Sequence, residues 1–202
     1  MARGSVVSKR GEYGYEDEQG EQRGARLLRE ALEVAIMTLL LFILVHLVVQ
    51  NYYVNGPSMR PTLHTSEYIL VDKAQYLFSK PQRGDVIVFE YPLDTNLDYV
   101  KRVIGIPGDT VSVQANGQVT VDNVAIKEPY VKDLDNPYEP ATWVLKANQY
   151  FVLGDNRGDS SDSRDWGPVP SQDIIGKAEL VYWPFSDAQF LRNWSSVFSG
   201  VH

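Results

Sequence analysis

Residues 99–104 read Tyr-Val-Lys-Arg-Val-Ile, an apolar run that carries two cations and is followed by the turn residues Gly105, Pro107 and Gly108. Short apolar runs closed by glycine or proline predict β-strands. Similar runs occur at residues 68–71, 85–89, 143–145, 150–153 and 177–183. The fold class predicted for the chain after residue 50 is therefore mostly β.

A hairpin is predicted inside this β region. Valines alternate with polar residues at 111–113 and at 119–121, and Asn116-Gly117 lies between them. Asn-Gly flanked by alternating segments is the strongest short-range hairpin signal. Asp122-Asn123 supplies a second turn and extends the hairpin into a meander. Residues 127–142 contain three prolines and are predicted to form a long loop or an insertion.

An apolar segment at residues 31–49 precedes the β region, and Glu33 and His46 near its ends are its only ionisable residues. Because about 20 apolar residues cross a bilayer, we predict a transmembrane anchor helix over residues 26–50. A cleavable signal peptide is disfavoured, since its apolar core is usually shorter and no small-residue cleavage site follows. A buried globular helix is the other alternative, but residues 34–49 lack the polar face of a surface helix.

Basic residues predict how this anchor is oriented. Arg23, Arg26 and Arg29 precede it, whereas only Arg60 is found after it before Lys73. The positive-inside rule then places the N-terminus in the cytoplasm and the β region outside a plasma membrane that the chain crosses once. Residues 1–25 are polar and without apolar periodicity, and are predicted to be a disordered cytoplasmic tail.

The charge of the chain limits its partners. The formal net charge is −7, and residues 1–30 contribute nothing to it because six basic and six acidic side chains cancel. The exported part is therefore acidic, which argues against nucleic acid as a partner. The chain has no cysteine, which is compatible with an oxidising compartment.

A candidate nucleophile follows the anchor in the block Gly56-Pro57-Ser58-Met59-Arg60-Pro61-Thr62-Leu63. Two prolines restrict the backbone around Ser58, and such a bend can expose its hydroxyl. A serine hydroxyl is an effective nucleophile only when a base removes its proton. An ordinary turn serine is the alternative.

Histidines and one lysine are candidates for that base. His46 lies in the apolar segment and His202 at the end of the chain, while His64 would have to complete any Ser-His-Asp triad. Lys101 is the stronger candidate, because strand alternation directs Lys101 and Arg102 to opposite faces. Burial can lower a lysine pKa by up to about 3–5 units and so create a general base near neutral pH. A surface lysine paired with a carboxylate is the alternative.

A third block, residues 154–165, reads Gly-Asp-Asn-Arg-Gly-Asp-Ser-Ser-Asp-Ser-Arg-Asp. Its four aspartates also suggest a calcium loop. The EF-hand pattern, counted from Asp155, requires glycine at the sixth position and glutamate at the twelfth, where this chain has Ser160 and Trp166. The composition therefore favours a hydrogen-bonded loop in which Asp162 pairs with Arg164. We predict no metal and no cofactor.

Together and in this order, the three blocks resemble type I signal peptidases, the membrane-anchored serine proteases that remove signal peptides. The resemblance covers about residues 32–184 and includes a strand block at 83–89. It implies an all-β catalytic core over residues 51–185 with a smaller inserted β substructure at 110–145. Residues 186–202 would then form a C-terminal tail, whose aromatic residues could lie at the membrane interface.

The resemblance also implies residue roles. Ser58 would attack the scissile carbonyl, Lys101 would accept its proton, and Ser160 would orient Lys101. The Ser58 N–H would bind the oxyanion, whereas Gly56 lacks the side-chain donor that some members have at this position. The supporting residues implied are Ser160, Asp162, Arg164, Asp155 and Arg102.

Substrate binding is implied at two shallow pockets for small residues one and three positions before the cut. Their implied lining is Tyr52, Val54, Met59, Leu63, Ile69, Val88, Asp98, Tyr99 and Val100. Core packing is the alternative for each apolar member. The implied partners are preproteins that carry signal peptides, the lipid bilayer and, transiently, the secretion channel.

Two other functions stay open. One is a specialised relative that processes a single dedicated surface substrate, and the other is a catalytically silent, membrane-anchored binding module. The silent module is disfavoured because Ser58, Lys101, Ser160, Asp162 and Arg164 are all present. Soluble self-cleaving repressors also use serine and lysine, but they lack an anchor.

Overall fold

The computed structural model describes residues 13–131 and 139–201, with side chains from residue 23 onwards. By its internal contacts the chain divides into two units, with the boundary between His46 and Leu47. Part of the loop or insertion predicted at 127–142, namely residues 132–138, lies outside the described residues.

The first unit consists of helix α1, Tyr13–Val48, whose last two residues belong to the second unit. Within the described residues, its part Arg23–Val48 is the one helix long and apolar enough to span a membrane. Residues 1–25 were predicted to be disordered, whereas the structure shows a helix over residues 13–25. Glutamate, glutamine and arginine are good helix formers, and they extend the helix that the apolar segment begins. Residues 1–12 lie outside the described residues.

Within the described residues, the second unit contains twelve strands and two short α-helices, together with 3-10 helices at Ser171–Asp173, Phe185–Asp187 and Ser195–Phe198. In chain order the strands are β1 (Val49–Tyr53), β2 (Tyr68–Asp72), β3 (Val86–Tyr91), β4 (Asp94–Gly105), β5 (Thr110–Val113), β6 (Val119–Val121), β7 (Val124–Ala125), β8 (Ala141–Val144), β9 (Gln149–Leu153), β10 (Val169–Pro170), β11 (Ile174–Trp183) and β12 (Gln189–Phe190). Helix α2 is Gln75–Phe78 and helix α3 is Ser163–Trp166.

The larger sheet has eight antiparallel strands in the order β1-β2-β11-β3-β4-β9-β10, with β12 paired to β11. Strand β4 lies between β3 and β9, with Lys101 opposite Ile87 and Arg102 opposite Val86 and Leu153. The predicted strand at 99–104 is therefore the second half of a longer strand. In this central strand both cations are buried.

The smaller sheet has four strands in the order β7-β6-β5-β8 and is inserted between β4 and β9. Gln114 and Gln118 close the predicted hairpin around residues 115–117, where Gly117 has a φ of 78° that suits glycine. Asp122 and Asn123 also have positive φ and form the second turn. The predicted fold class is confirmed: mostly β, with an inserted β substructure and an N-terminal apolar helix.

Residues 186–201, part of the segment predicted to be a C-terminal tail, belong to the same unit as the strands. Strand β12 pairs with β11, and Asn193 Nδ2 donates a hydrogen bond of 2.6 Å to Asp85 Oδ1. Phe198 and Val201 are buried with the apolar side chains of the smaller sheet. Burial of this apolar surface stabilises the packed segment. No local sequence pattern indicates this packing.

Candidate active site

Ser58 and Lys101 are in direct contact. Lys101 Nζ donates to Ser58 Oγ at 2.9 Å and to the Val100 carbonyl oxygen at 3.1 Å. The lysine is only 4% exposed, and its Nζ lies 5.2 Å from the centre of the Tyr99 ring. Over residues 23–131 and 139–201, no carboxylate forms an ion pair with Lys101. The structure therefore brings together the two residues that the sequence predicted as nucleophile and base.

The surroundings of Lys101 change its pKa. Burial lowers the pKa of the ammonium from 10.5 to about 8, while the negative charges of Asp162 and Asp155 act in the opposite direction. With that pKa, about a tenth of the lysine is neutral at pH 7. The uncharged amine that can accept a proton is thus present under ordinary conditions.

The Ser58 backbone is held in a tight turn. Arg60 N donates to the Pro57 carbonyl at 3.0 Å, and Leu63 N donates to the Met59 carbonyl at 2.8 Å. Met59 and Leu63 are 1% and 0% exposed and anchor the turn in the core. Among the described residues, no group accepts a hydrogen bond from the Ser58 N–H. That donor is therefore available to a ligand.

Arg102 lies on the opposite face of β4 and is completely buried. Its Nε and Nη2 donate to the two oxygens of Asp155 at 2.8 and 2.6 Å, and its Nη1 donates to the Gly84 carbonyl at 2.9 Å. Asp155 also accepts from the hydroxyl of Thr62, four residues after Ser58. This ion pair joins β4, the Ser58 turn and the third sequence block.

The third block forms a loop that is organised by Asp162. Its carboxylate accepts from Gly154 N, from Ser160 Oγ at 2.8 Å and from Arg164 Nε and Nη2, each at 2.8 Å. The predicted pairing of Asp162 with Arg164 is therefore present. Ser160 donates to Asp162, and no hydrogen bond joins its side chain to Lys101, so the orienting role implied for Ser160 stays a prediction.

Gly154 is required by close approach of this loop to the nucleophile. A Cβ at this position would lie 2.5 Å from the Ser58 carbonyl oxygen and 2.2 Å from Ser160 Oγ. Asn156 N donates to the same Ser58 carbonyl at 3.0 Å, and Asn156 Nδ2 donates to the Pro57 carbonyl at 3.2 Å. The loop thus fixes the backbone on both sides of the Ser58 α-carbon.

A cleft of about 400 Å³ opens beside the two residues. Seven of the predicted substrate-binding residues line it: Tyr52, Val54, Ile69, Val88, Asp98, Tyr99 and Val100. Met59 and Leu63 do not line the cleft; they are buried in the apolar cluster that also contains Val54, Ile69 and Val88. Sequence reasoning missed further lining residues, namely Tyr53, Asn55, Pro57, Leu97, Asp159 and Ser161. Most of them are adjacent in sequence to a predicted site residue, and this adjacency could have indicated that they line the cleft.

The alternative base and the calcium loop find no support in this geometry. His64 Nδ1 lies 3.4 Å from Glu67 Oε1 and does not line the cleft. Asp155 and Asp162 are each paired with an arginine. In the part of the chain that the structure describes, no three His, Asp or Glu side chains are grouped to hold a metal ion.

The chain is similar to known signal peptidases. The family model for signal peptidase, peptidase S26, matches residues 27–183. Signal peptidase I of Leptolyngbya laminosa is 39% identical over 145 residues, covering 68% of this chain and 70% of that protein. Signal peptidase IB of Staphylococcus aureus strain MRSA252 is 36% identical over 185 residues, covering 83% and 95%. A crystal structure of a signal peptidase I from Enterococcus faecalis V583 is 32% identical and covers 49% of this chain and 97% of that one, with a TM-score of 0.43.

Proposed function

The chain belongs to the signal peptidase family, peptidase S26, and on that premise we propose that Ser58 and Lys101 form its catalytic dyad. The protein is a serine protease that removes signal peptides from preproteins. The observation that carries the proposal is the 2.9 Å contact between Lys101 Nζ and Ser58 Oγ. At this distance a neutral amine can accept the hydroxyl proton directly.

The proposed reaction has two chemical steps. In the first, Ser58 Oγ attacks the carbonyl carbon of the scissile bond while Lys101 accepts the proton, which it then donates to the leaving amine. The product of this step is an ester between Ser58 and the signal peptide. In the second, Lys101 takes a proton from water, whose oxygen attacks the ester carbonyl. The bond to Ser58 Oγ then breaks, Lys101 returns the proton to Ser58 Oγ, and the signal peptide leaves with a free carboxyl end.

The oxyanion that forms in each step needs a hydrogen-bond donor. We assign this role to the Ser58 N–H, and one such donor contributes about 3–4 kcal/mol to transition-state binding. Gly56 has a φ of 109°, which L side chains rarely adopt, although the space beside it is open. A residue with a side-chain donor would be strained at this position, because the backbone conformation of Gly56 suits glycine.

Specificity is assigned to the cleft beside the dyad. A substrate bound in an extended conformation directs alternate side chains to the same face. The residues one and three positions before the cut would then point into the cleft, against Tyr52, Val54, Ile69 and Val88. These walls favour small apolar side chains at both positions, as in an Ala-X-Ala substrate.

Membrane attachment is assigned to residues 26–50, with the N-terminus cytoplasmic and the catalytic residues 51–185 outside. The exposed apolar side chains of α1 and the arginines before them support this assignment. The lipid bilayer is a proposed partner of the catalytic part as well, because Trp183, Phe185 and Phe190 are exposed. Cleavage would occur close to the secretion channel, as preproteins emerge.

The test is cleavage of an Ala-X-Ala preprotein by the full chain in detergent, with the product N-terminus identified by mass spectrometry. We expect the wild type to cut after the second alanine and Ser58→Ala to be inactive. Ser196→Ala is the matched control, because Ser196 is exposed and does not line the cleft. Cutting by folded Ser58→Ala at the wild-type rate would overturn the dyad.

A further inference from the structure

Glu128 is a buried carboxylate that none of the three sequence blocks contains. It lies in the connection between β7 and β8 of the smaller sheet, and its side chain is only 5% exposed. Glu128 Oε2 accepts from Arg157 Nη1 at 2.9 Å, and Oε1 accepts from Arg157 Nη2 and from the Tyr130 hydroxyl. Both carboxylate oxygens thus accept hydrogen bonds from side chains that contact other residues near Ser58 and Lys101.

The contact with Arg157 leads to Ser58. Arg157 Nε donates to the Gly154 carbonyl at 3.1 Å, so the guanidinium joins Glu128 to the turn of the third block. The residue before Arg157 is Asn156, whose backbone N and side chain hold the carbonyls of Ser58 and Pro57. A displacement of Arg157 therefore moves the groups that fix the nucleophile.

The contact with Tyr130 leads to the other half of the dyad. The Tyr130 ring lies over the Arg102 guanidinium, with Arg102 Cζ 4.3 Å from the ring centre. Arg102 adjoins Lys101 in β4, and its side chain is fixed by Asp155 on the other side. The Tyr130 hydroxyl, held by Glu128, keeps the ring in this place. One carboxylate is thereby connected to the backbone of both catalytic residues.

We propose that Glu128 is a positioning residue that holds Ser58 and Lys101 at their reactive distance, through Arg157 and Asn156 on one side and Tyr130 and Arg102 on the other. The inference rests on the proposed dyad. A carboxylate suits the role because Arg157 is 3% exposed and needs a two-oxygen anionic partner. The smaller sheet thus takes part in catalysis, because it places the connection that carries Glu128.

The test compares Glu128→Gln with the wild type on the same preprotein, with kcat expressed per folded molecule and KM measured in parallel. Glutamine has the same shape but lacks the charge and offers only one acceptor oxygen. We expect kcat to fall about 10- to 100-fold, as for a small misplacement of reacting groups, with KM within about twofold because the cleft is untouched. Glu139→Gln, at an exposed glutamate of the same connection, is the matched control.

A second variant keeps the inference testable when Glu128→Gln does not fold. Tyr130→Phe retains the ring over Arg102 and removes only the hydroxyl, and we expect kcat to fall about fivefold. If folded Glu128→Gln has the kcat of the wild type, the inference is overturned. If Glu128→Gln does not fold, a wild-type kcat in Tyr130→Phe overturns it. Inactive wild type would instead contradict the proposed function, so the two failures are distinguishable.

Discussion

Lys101 and Arg102 are neighbours on β4, and their surroundings differ on the two faces of the strand. Both cations are buried, at 4% and 0% exposed. Arg102 donates to both oxygens of Asp155, whereas Lys101 donates to a hydroxyl and a carbonyl. Burial is therefore common to both residues, and what differs is the side chain and its partners: a guanidinium with an anionic partner on one face, and an ammonium with neutral partners on the other.

The physical reason is the energy of a charge in a low-dielectric environment. A guanidinium stays protonated at any useful pH, and a facing carboxylate compensates the hydration that it loses on burial. A buried cation with neutral partners has only the weaker help of distant charges, and its pKa falls. The Arg102 face therefore provides a fixed scaffold, and the Lys101 face provides a base.

The largest effect is expected when Lys101 is given the chemistry of its neighbour. Lys101→Arg should lower kcat by about 1,000-fold or more, because a guanidinium stays protonated at any useful pH and cannot act as a general base. The measurement is cleavage of an Ala-X-Ala preprotein at pH 8. Substantial activity of this variant would show that the base is another group.

The reverse exchange at Arg102 is the matched comparison. Lysine cannot reproduce the two-pronged contact with Asp155, so Arg102→Lys should lower the free energy of unfolding. The fraction that remains folded should nevertheless cleave far faster than Lys101→Arg. Equal inactivity of the two variants when folded would contradict the division between the two faces.

A second prediction concerns the carboxylate on the scaffold face. Asp155→Asn leaves the Arg102 charge buried without an anionic partner, and loss of one member of such a pair costs about 3–5 kcal/mol of unfolding free energy. Urea unfolding followed by tryptophan fluorescence measures this loss. Asp187→Asn, at an exposed carboxylate, is the control and should change the stability little. A loss below about 1 kcal/mol, the range of surface pairs, would contradict the scaffold role.

Local patterns were sufficient to predict the two faces of β4. Strand alternation separates Lys101 from Arg102, and proline and glycine mark the Ser58 turn. These features depend on near neighbours in the sequence, so a single chain reveals them. The same holds for the alternating strands of the smaller sheet.

Contacts between distant segments were beyond this kind of prediction. Glu128 and Arg157 lie 29 positions apart, and Arg102 and Asp155 lie 53 apart. Both pairs exist because the smaller sheet and strand β9 bring their segments together, which no local period encodes.

A third prediction uses the cost of burying Lys101. A pKa of about 8 in place of 10.5 makes burial of this lysine unfavourable by roughly 3 kcal/mol at pH 7. Lys101→Met should therefore raise the free energy of unfolding by up to that amount while it abolishes cleavage.

The gain in Lys101→Met should depend on pH with a defined sign. It is fully present below pH 8, declines as the pH rises to 10.5, and vanishes above it, where the lysine is neutral in both the folded and the unfolded state. Urea unfolding at pH 7 and at pH 10.5 measures both values. A loss of stability at pH 7 would mean that Lys101 is a structural cation like Arg102.

The smallest predicted effect is a shift in the pH dependence of cleavage. Only neutral Lys101 can accept the Ser58 proton, so kcat/KM should fall about tenfold per pH unit below 8 and level off above it. Asp162 is the larger of the two influences that raise the pKa of Lys101. Asp162→Asn should therefore move the acid limb to lower pH, whereas Asp187→Asn should leave it in place. A rate that stays constant down to pH 5 would remove the lysine base, and the two faces of β4 would then differ in packing alone.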